Sequence, residues 1–318
     1  MAIALIIGRD EQERQKFESY ILEWKNALLA QDSHLDIRIY PNLGDHTEIE
    51  FLLVSSAPAN IFTEFSHIKA IMALSAGIDD ILTNPSLIPN IPIVRIQDPF
   101  MANDICQYAV AYVLNDVKRV DHWRELQKQH HWGKEPPFNF SNKTVGIMGL
   151  GFLGTKIAVT MNQLGFTVNG WSHSHKEIPH VSSYTGKEEF NTFLQHTDIL
   201  ICQLPLTNNT RNILNKETFA QLKKNAYVIN MGRGQHLVEE DLLAALASGQ
   251  LSGATLDVFR TEPLPADHPF WDNPKIIVTP HIASITNPCT ASIVVVDNIK
   301  RMQRGELPVG EVDLHKGY

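Results

Sequence analysis

Cysteine is scarce in this chain, with three in 318 residues, and Cys106, Cys202 and Cys289 stand far apart with no C-x-x-C spacing. That pattern argues against a disulfide framework or a zinc ribbon, and a reducing, cytoplasmic setting is expected. Long hydrophobic runs are missing too. The opening M-A-I-A-L-I-I-G is strand-length rather than membrane-length and lacks a basic n-region and a small-residue cleavage site, so it is expected to be a buried first strand. Positive charge is in short supply: a formal net charge of −8 argues against a nucleic-acid or membrane partner, and an anionic ligand requires a local cationic site. The polar stretch 121–132 carries His122, His130 and His131. No H-E-x-x-H or comparable ligand spacing accompanies them, so they read as exposed histidines and no metal is expected.

What is present is an ordinary globular composition, 43% hydrophobic and 19% charged, in a chain long enough for two domains. Phe17, Tyr20, Ile21, Trp24, Ala27 and Leu28 recur at helical spacing and mark one amphipathic helix. Strands are expected at 36–40, 51–54, 70–74 and 91–96, separated by Pro, Asn and Ser. Strands alternating with helices imply a parallel sheet. The S-A-G-I-D-D stretch after the 70–74 strand is either an anion nest of backbone N–H groups or a plain strand-to-helix turn; spacing does not separate the two. Residues 103–119 form an apolar helix with a nonpolar face wide enough to pack between domains or subunits. Pro136-Pro137 marks a linker.

Beyond the linker lies T-V-G-I-M-G-L-G-F-L-G, residues 144–154. An apolar strand runs into Gly149, Gly151 and Gly154 of G-x-G-x-x-G, followed by the helical stretch 155–164. This order sets unpaired N–H groups and the positive end of a helix dipole where a pyrophosphate can dock. Gly149 suits the tight turn, Gly151 the approach to phosphate and Gly154 the packing of helix on strand. The next strand, 166–171, ends at Ser172, where NAD-specific sites carry an acidic residue about 20 residues past the glycines. Ser172, His173, Ser174, His175 and Lys176 present no carboxylate to repel a 2′-phosphate, and hydroxyl, imidazole and ammonium groups suit one. NADPH is therefore the expected cofactor, with NADH possible. Further strands are expected at 198–204, 226–230, 254–258 and 276–279, with helices at 239–247 and 288–304. The last of these is a candidate to cross back to the first domain. Arg233 follows a strand end, where open α/β sheets place ligands.

N-M-G-R-G, L-D-V-F-R-T-E-P-L-P and T-P-H-I-A-S, in this order after the glycine motif, resemble the D-isomer-specific 2-hydroxyacid dehydrogenase family. S-A-G-I-D-D, W-S-H-S-H-K and the terminal G-Y resemble its glyoxylate/hydroxypyruvate reductase A branch. The resemblance implies an α/β fold of two Rossmann-like, doubly wound parallel-sheet domains. The cofactor domain (100–283) is inserted into the substrate domain (1–99 and 284–318), with the active site in the cleft between them. It implies His281 as general acid, Glu262 as the carboxylate that orients it and favours its charged form, and Arg233 as the group that binds the substrate carboxylate and polarises the keto oxygen. It settles the S-A-G-I-D-D ambiguity in favour of a nest, with Ala76, Gly77 and Ile78 binding the same carboxylate.

Cofactor contacts are expected at Phe152, Leu153, Leu204, Pro205, Met231 and Gly232, with Asp257 on the nicotinamide amide. The implied substrate is a small anionic 2-oxo acid, glyoxylate or hydroxypyruvate, and the expected assembly a homodimer; pocket volume is not fixed by the sequence, and Trp132 is a candidate to shape it from the same or a neighbouring subunit. NADP-preferring relatives usually carry Arg where this chain has His173 and His175, so the expected phosphate site is weaker and depends on imidazole protonation. Two other readings stay open: a sister enzyme for a larger 2-oxo acid, and a non-catalytic dinucleotide sensor or corepressor, against which Arg233, Glu262 and His281 argue.

Overall fold

The computed structural model describes residues 2–133 and 142–314; the Pro136-Pro137 linker and the terminal Gly317-Tyr318 pair lie outside them. The chain divides into two compact units, Met1–Met101 with Ile285–Tyr318, and Ala102–Ser284. The second unit thus interrupts the first in sequence.

The first unit holds β1 (Ala2–Ile7), β2 (Asp36–Ile39), β3 (Ile49–Ser55), β4 (Ala70–Ala73) and β5 (Ile93–Val94), in the order β2-β1-β3-β4-β5. Every pair is parallel, and the order reverses between β1 and β3, as in flavodoxin-like sheets. The unbroken apolar run of β1 follows from burial on both faces. Ile3, Leu5 and Ile7 enter one cluster with Trp24 and Leu28, while Ala2, Ala4 and Ile6 enter another with Phe62 and Ile71. The Glu18–Gln31 helix buries Ile21, Trp24, Ala27 and Leu28. The Pro288–Gln303 helix belongs to this unit and adds Ala291, Val295, Val296 and Ile299 to the Trp24 cluster. Asn287 caps it by accepting the Cys289 N–H at 2.9 Å, with Pro288 in the first turn where no N–H is needed.

The second unit holds β6 (Thr144–Met148), β7 (Thr167–Ser172), β8 (Val181–Thr185), β9 (Ile199–Cys202), β10 (Ala226–Asn230), β11 (Leu251–Leu256) and β12 (Ile276–Val278). Their order is β12-β11-β10-β9-β6-β7-β8, again all parallel. The order reverses around β6, which lies between β7 and β9, and a crevice at that switch point is where such sheets take ligands. Alternation again divides the core: Val228 and Leu200 face one cluster, Tyr227, Ile229, Ile199 and Ile201 the other. Among the described residues no helix is long and apolar enough to cross a membrane.

Several elements differ from the sequence expectation. β8 was not expected, because V-S-S-Y-T is an edge strand with no residue fully buried and so carries no apolar run. The 91–96 strand shortens to Ile93–Val94, a sheet edge where Pro92 offers only its carbonyl, to the Ile71 N–H at 2.9 Å. The 103–119 helix begins earlier, at Pro99, and ends at Val117. Its start is set by Asp98, 1% exposed, whose Oδ1 accepts the Phe100 N–H at 2.9 Å while Oδ2 accepts the Thr290 hydroxyl at 2.6 Å. Met101 packs in the first unit's core, and Ile105, Cys106, Ala109, Val113 and Val117 pack in the second's. The wide apolar face is used within the second unit, where Tyr108, Val110, Tyr112 and Leu114 lie partly buried on the same cluster.

Asp98→Ala removes a helix cap and the shorter bond of the Thr290 hydroxyl, which keeps the Asn287 carbonyl at 3.3 Å, so it is expected to destabilise the chain by about 1–3 kcal/mol. Urea unfolding measures this; a loss near zero would show that neither bond contributes.

Candidate active site

The glycine turn after β6 starts with Gly149 at φ +102°. Its N–H donates to the Trp171 carbonyl at 2.8 Å, prolonging the β6–β7 ladder by one rung before the chain turns away. The Phe152–Gln163 helix follows, with Gly151 as an N-cap that has no side-chain hydrogen bond and with no acidic residue in the first turn. Its first N–H groups and dipole are therefore available to an anion. A Cβ on Gly151 would meet nothing within 4 Å, so there is open space beside the backbone, whereas one on Gly154 would lie 1.8 Å from the Gly149 carbonyl oxygen. Glycine at 154 is what lets the helix lie against the turn. Phe152, Leu153 and Gly154 form the first turn of this helix, and the cradle fits the pyrophosphate of a dinucleotide.

At the end of β7, Ser172 is buried and its hydroxyl donates to the Ser174 carbonyl at 2.8 Å, which closes the turn. His173, His175 and Lys176 are exposed beyond it. Among the residues expected near the cofactor, these three carry the cationic or protonatable groups, while the Ser172 hydroxyl is directed to the backbone.

The loops after β9 and β10 lie side by side. Leu204 is 8% exposed and Met231 4%. The Pro205 carbonyl accepts the Thr210 hydroxyl at 2.7 Å. Asn230, fully buried, accepts the Gly232 N–H at 3.2 Å and donates to the Arg233 carbonyl at 3.1 Å, fixing the M-G-R turn from beneath. The Arg233 guanidinium donates to the Gly232 carbonyl at 2.7 Å. A Cβ on Gly234 would fall 1.9 Å from the Phe259 carbonyl carbon, so glycine there lets the Arg233 loop lie on the loop that carries Glu262.

Glu262 Oε1 accepts the Phe259 N–H at 2.9 Å, and its Oε2 accepts the His281 Nδ1–H at 2.7 Å. Burial opposes ionisation of Glu262, but the bonds from His281 and Phe259, with the charges of His281 and Arg233, outweigh it and hold the carboxyl below its ordinary value. With Nδ1 engaged, Nε2 is the ring atom left to exchange a proton.

His281 sits at φ +55°, and its N–H donates to the Asp257 carbonyl at 2.8 Å. The Asp257 carboxylate, 1% exposed, accepts the Thr279 hydroxyl at 2.6 Å, the Ile282 N–H at 2.9 Å and the Ala283 N–H at 2.8 Å. The chain itself therefore engages both oxygens of Asp257, and any bond to a nicotinamide amide would be added to these. Thr279 donates to Asp257, so the Tyr108 hydroxyl, 2.6 Å away, donates to Thr279. Burial raises the Tyr108 hydroxyl above its ordinary value, which keeps it a donor.

Ala76, Gly77 and Ile78 belong to the first unit, past the end of β4. Ser75 donates its hydroxyl to the Gly77 carbonyl at 2.6 Å and shapes the turn. Among the described residues, the N–H groups of these three have no acceptor. Trp132 is 93% exposed. Asn230, His236, Thr279 and Tyr108 were not found from the sequence. Polar residues beside a motif look like loop residues until burial shows that each must have a partner.

Residues 110–283 match the family described as D-isomer specific 2-hydroxyacid dehydrogenase, NAD binding domain. The chain is 41% identical over 301 residues to a glyoxylate/hydroxypyruvate reductase A of Yersinia enterocolitica, covering 93% of this chain and 96% of that protein. It is similar to a D-isomer specific 2-hydroxyacid dehydrogenase of Xanthobacter autotrophicus Py2 solved in complex with NADPH and MES, with 35% identity, a TM-score of 0.92 and coverage of 100% of this chain and 99% of that one. It is similar also to an NADPH-dependent glyoxylate/hydroxypyruvate reductase of Sinorhizobium meliloti solved with NADP and sulfate, with 31% identity, a TM-score of 0.90 and full coverage of both chains, 100% each.

The lowered value of Glu262 sets a pH dependence. Its ionised form is favoured by folding, so the stability it adds is complete above the ordinary 4.5 and is lost as pH falls from there through the lower folded-state value. The margin of the wild-type chain over Glu262→Gln in urea unfolding is expected to shrink below pH 4.5. A margin that stays constant across that range would show that the carboxylate adds nothing to stability.

Proposed function

The chain belongs to the D-isomer specific 2-hydroxyacid dehydrogenase family, and from that premise we propose that it is an NADPH-preferring reductase of small 2-oxo acids, converting glyoxylate to glycolate and hydroxypyruvate to D-glycerate. The observation that carries this reading is the His281–Glu262 bond of 2.7 Å, on loops of the same sheet edge as Arg233 and the glycine cradle. A dinucleotide sensor would need no such acid.

Bound NADPH supplies a hydride to C2 of the 2-oxo acid. The Arg233 guanidinium binds the substrate carboxylate through paired hydrogen bonds and orients the carbonyl. The N–H groups of Ala76, Gly77 and Ile78 are assigned to the same carboxylate. His281 Nε2 gives its proton to the alkoxide that develops at C2, while Nδ1–H stays on Glu262 and fixes the ring's orientation. Phe152, Leu153 and Gly154 receive the pyrophosphate on the helix N-terminus. His173, His175 and Lys176 are assigned to the 2′-phosphate. The absence of a carboxylate from residues 172–176 supports that assignment, as do the relatives solved with NADPH and NADP.

Arg233→Ala is expected to raise KM for glyoxylate by about one to two orders of magnitude, and His281→Ala to lower kcat by about 10²–10⁴-fold. Steady-state NADPH oxidation with glyoxylate, hydroxypyruvate and phenylpyruvate measures both effects. Equal turnover of phenylpyruvate and glyoxylate would defeat the small-substrate reading. Replacing His173 and His175 by Ala is expected to reduce the NADPH/NADH ratio of kcat/KM by roughly tenfold; an unchanged ratio would move 2′-phosphate recognition to other residues.

A further inference from the structure

His236 follows Arg233 by three positions in R-G-Q-H and is fully buried, at 0% exposure. Its ring spans two strand-end loops. Nδ1 accepts the Arg233 backbone N–H at 3.0 Å, and Nε2 donates to the Pro205 carbonyl at 3.3 Å. The Cys202 sulfur lies 3.7 Å from the same Nδ1. Burial pushes the Cys202 thiol up to about 12, so it keeps its proton and can act as a second donor to Nδ1. An atom that faces two donors carries no hydrogen, and one that faces a carbonyl carries one. The ring is therefore the neutral Nε2–H tautomer. The backbone of His236 is tied as well, its N–H to the Arg233 carbonyl at 3.1 Å and its carbonyl to the Leu214 N–H at 2.9 Å. Glycine at 232 makes room for the ring, since a Cβ there would lie 2.9 Å from Nδ1.

We infer that His236 is a positioning residue for substrate binding: its neutral ring fixes the Arg233 backbone to the Pro205 loop and so sets where the Arg233 guanidinium meets the substrate carboxylate. This rests on the reading of Arg233 given above. The role needs an acceptor and a donor on opposite edges of one rigid side chain, which imidazole supplies. Asn lacks the reach to Pro205, and Gln lacks the acceptor beside its own backbone. Small displacements at the Arg233 backbone grow along its side chain, and a misplacement of about 1 Å costs on the order of 10²-fold in such sites.

The test compares His236→Ala, His236→Asn and His236→Gln with Arg233→Ala and the Arg233→Ala/His236→Ala double variant. The readouts are KM and kcat for glyoxylate at saturating NADPH, together with melting temperature. His236→Ala and His236→Gln are expected to raise KM for glyoxylate by about tenfold or more, and His236→Asn, whose Oδ1 can accept the Arg233 N–H but cannot reach Pro205, to raise it by a smaller factor than either. In the Arg233→Ala background, His236→Ala is expected to add little, because the group it positions is gone. If all three His236 variants lower the melting temperature yet keep the wild-type KM, His236 serves packing alone and the inference is overturned. Additive losses in the double variant also overturn it. Should His236→Ala fail to fold, the contrast between Asn and Gln decides the matter. An unchanged KM in Arg233→Ala would instead remove the reading of Arg233 itself, a result distinguishable from failure of His236 alone.

Discussion

The charge of Asp257 is buried at the end of β11, and the geometry of the acid loop depends on satisfying it. A carboxylate withdrawn from water must be bonded or it destabilises the fold by several kcal/mol. Here one hydroxyl and two backbone N–H groups, all from residues 279–283, converge on it. They wrap the loop after β12 around the carboxylate. At its centre His281 takes a left-handed conformation that is uncommon for residues other than glycine. The ring is thereby delivered to Glu262. Tyr108 reaches the same network through Thr279, so a helix far away in sequence also helps to hold the acid.

The parallel sheet of the second unit explains why residues so distant in sequence share one edge. Gly149 follows β6, Pro205 follows β9, Arg233 follows β10, Asp257 and Glu262 follow β11, and His281 follows β12. These strands are consecutive in the order β12-β11-β10-β9-β6. All run the same way, so their carboxyl ends, and the loops after them, line one side. Neighbouring loops are then tied pairwise: His236 joins those after β9 and β10, the contact of Gly234 with Phe259 joins those after β10 and β11, and the Glu262–His281 bond joins those after β11 and β12. A displacement at one loop is felt by the next.

The second unit was legible in the sequence wherever burial was complete. β10 and the Glu239–Ala247 helix match the expected bounds, because a run such as A-Y-V-I-N is buried on both faces and needs no partner to be identified. β8 and the short Phe190–Gln195 and Lys216–Gln221 helices went unread, since half-exposed or one-turn segments carry little periodicity. Ser172 was read as a ligand group, and the structure shows its hydroxyl bonded to the Ser174 carbonyl. The short-range preference of serine for nearby backbone explains that bond.

The amino-acid sequence by itself determined the alternation of strand and helix, the uncapped glycine turn, the absence of an acidic residue at 172–176, and the Arg233, Glu262 and His281 side chains at strand ends. These are local properties, set by hydrophobic periodicity, glycine geometry and residue chemistry. Tertiary structure alone decided that His236 is a neutral bridge rather than a loop histidine, that Asp257 is occupied by its own chain, and that Asp98 starts the long helix while holding Thr290. Each of these depends on partners between 2 and 192 positions away. A buried polar group takes whichever donor or acceptor the fold brings within about 3 Å, and spacing along the chain does not specify that neighbour.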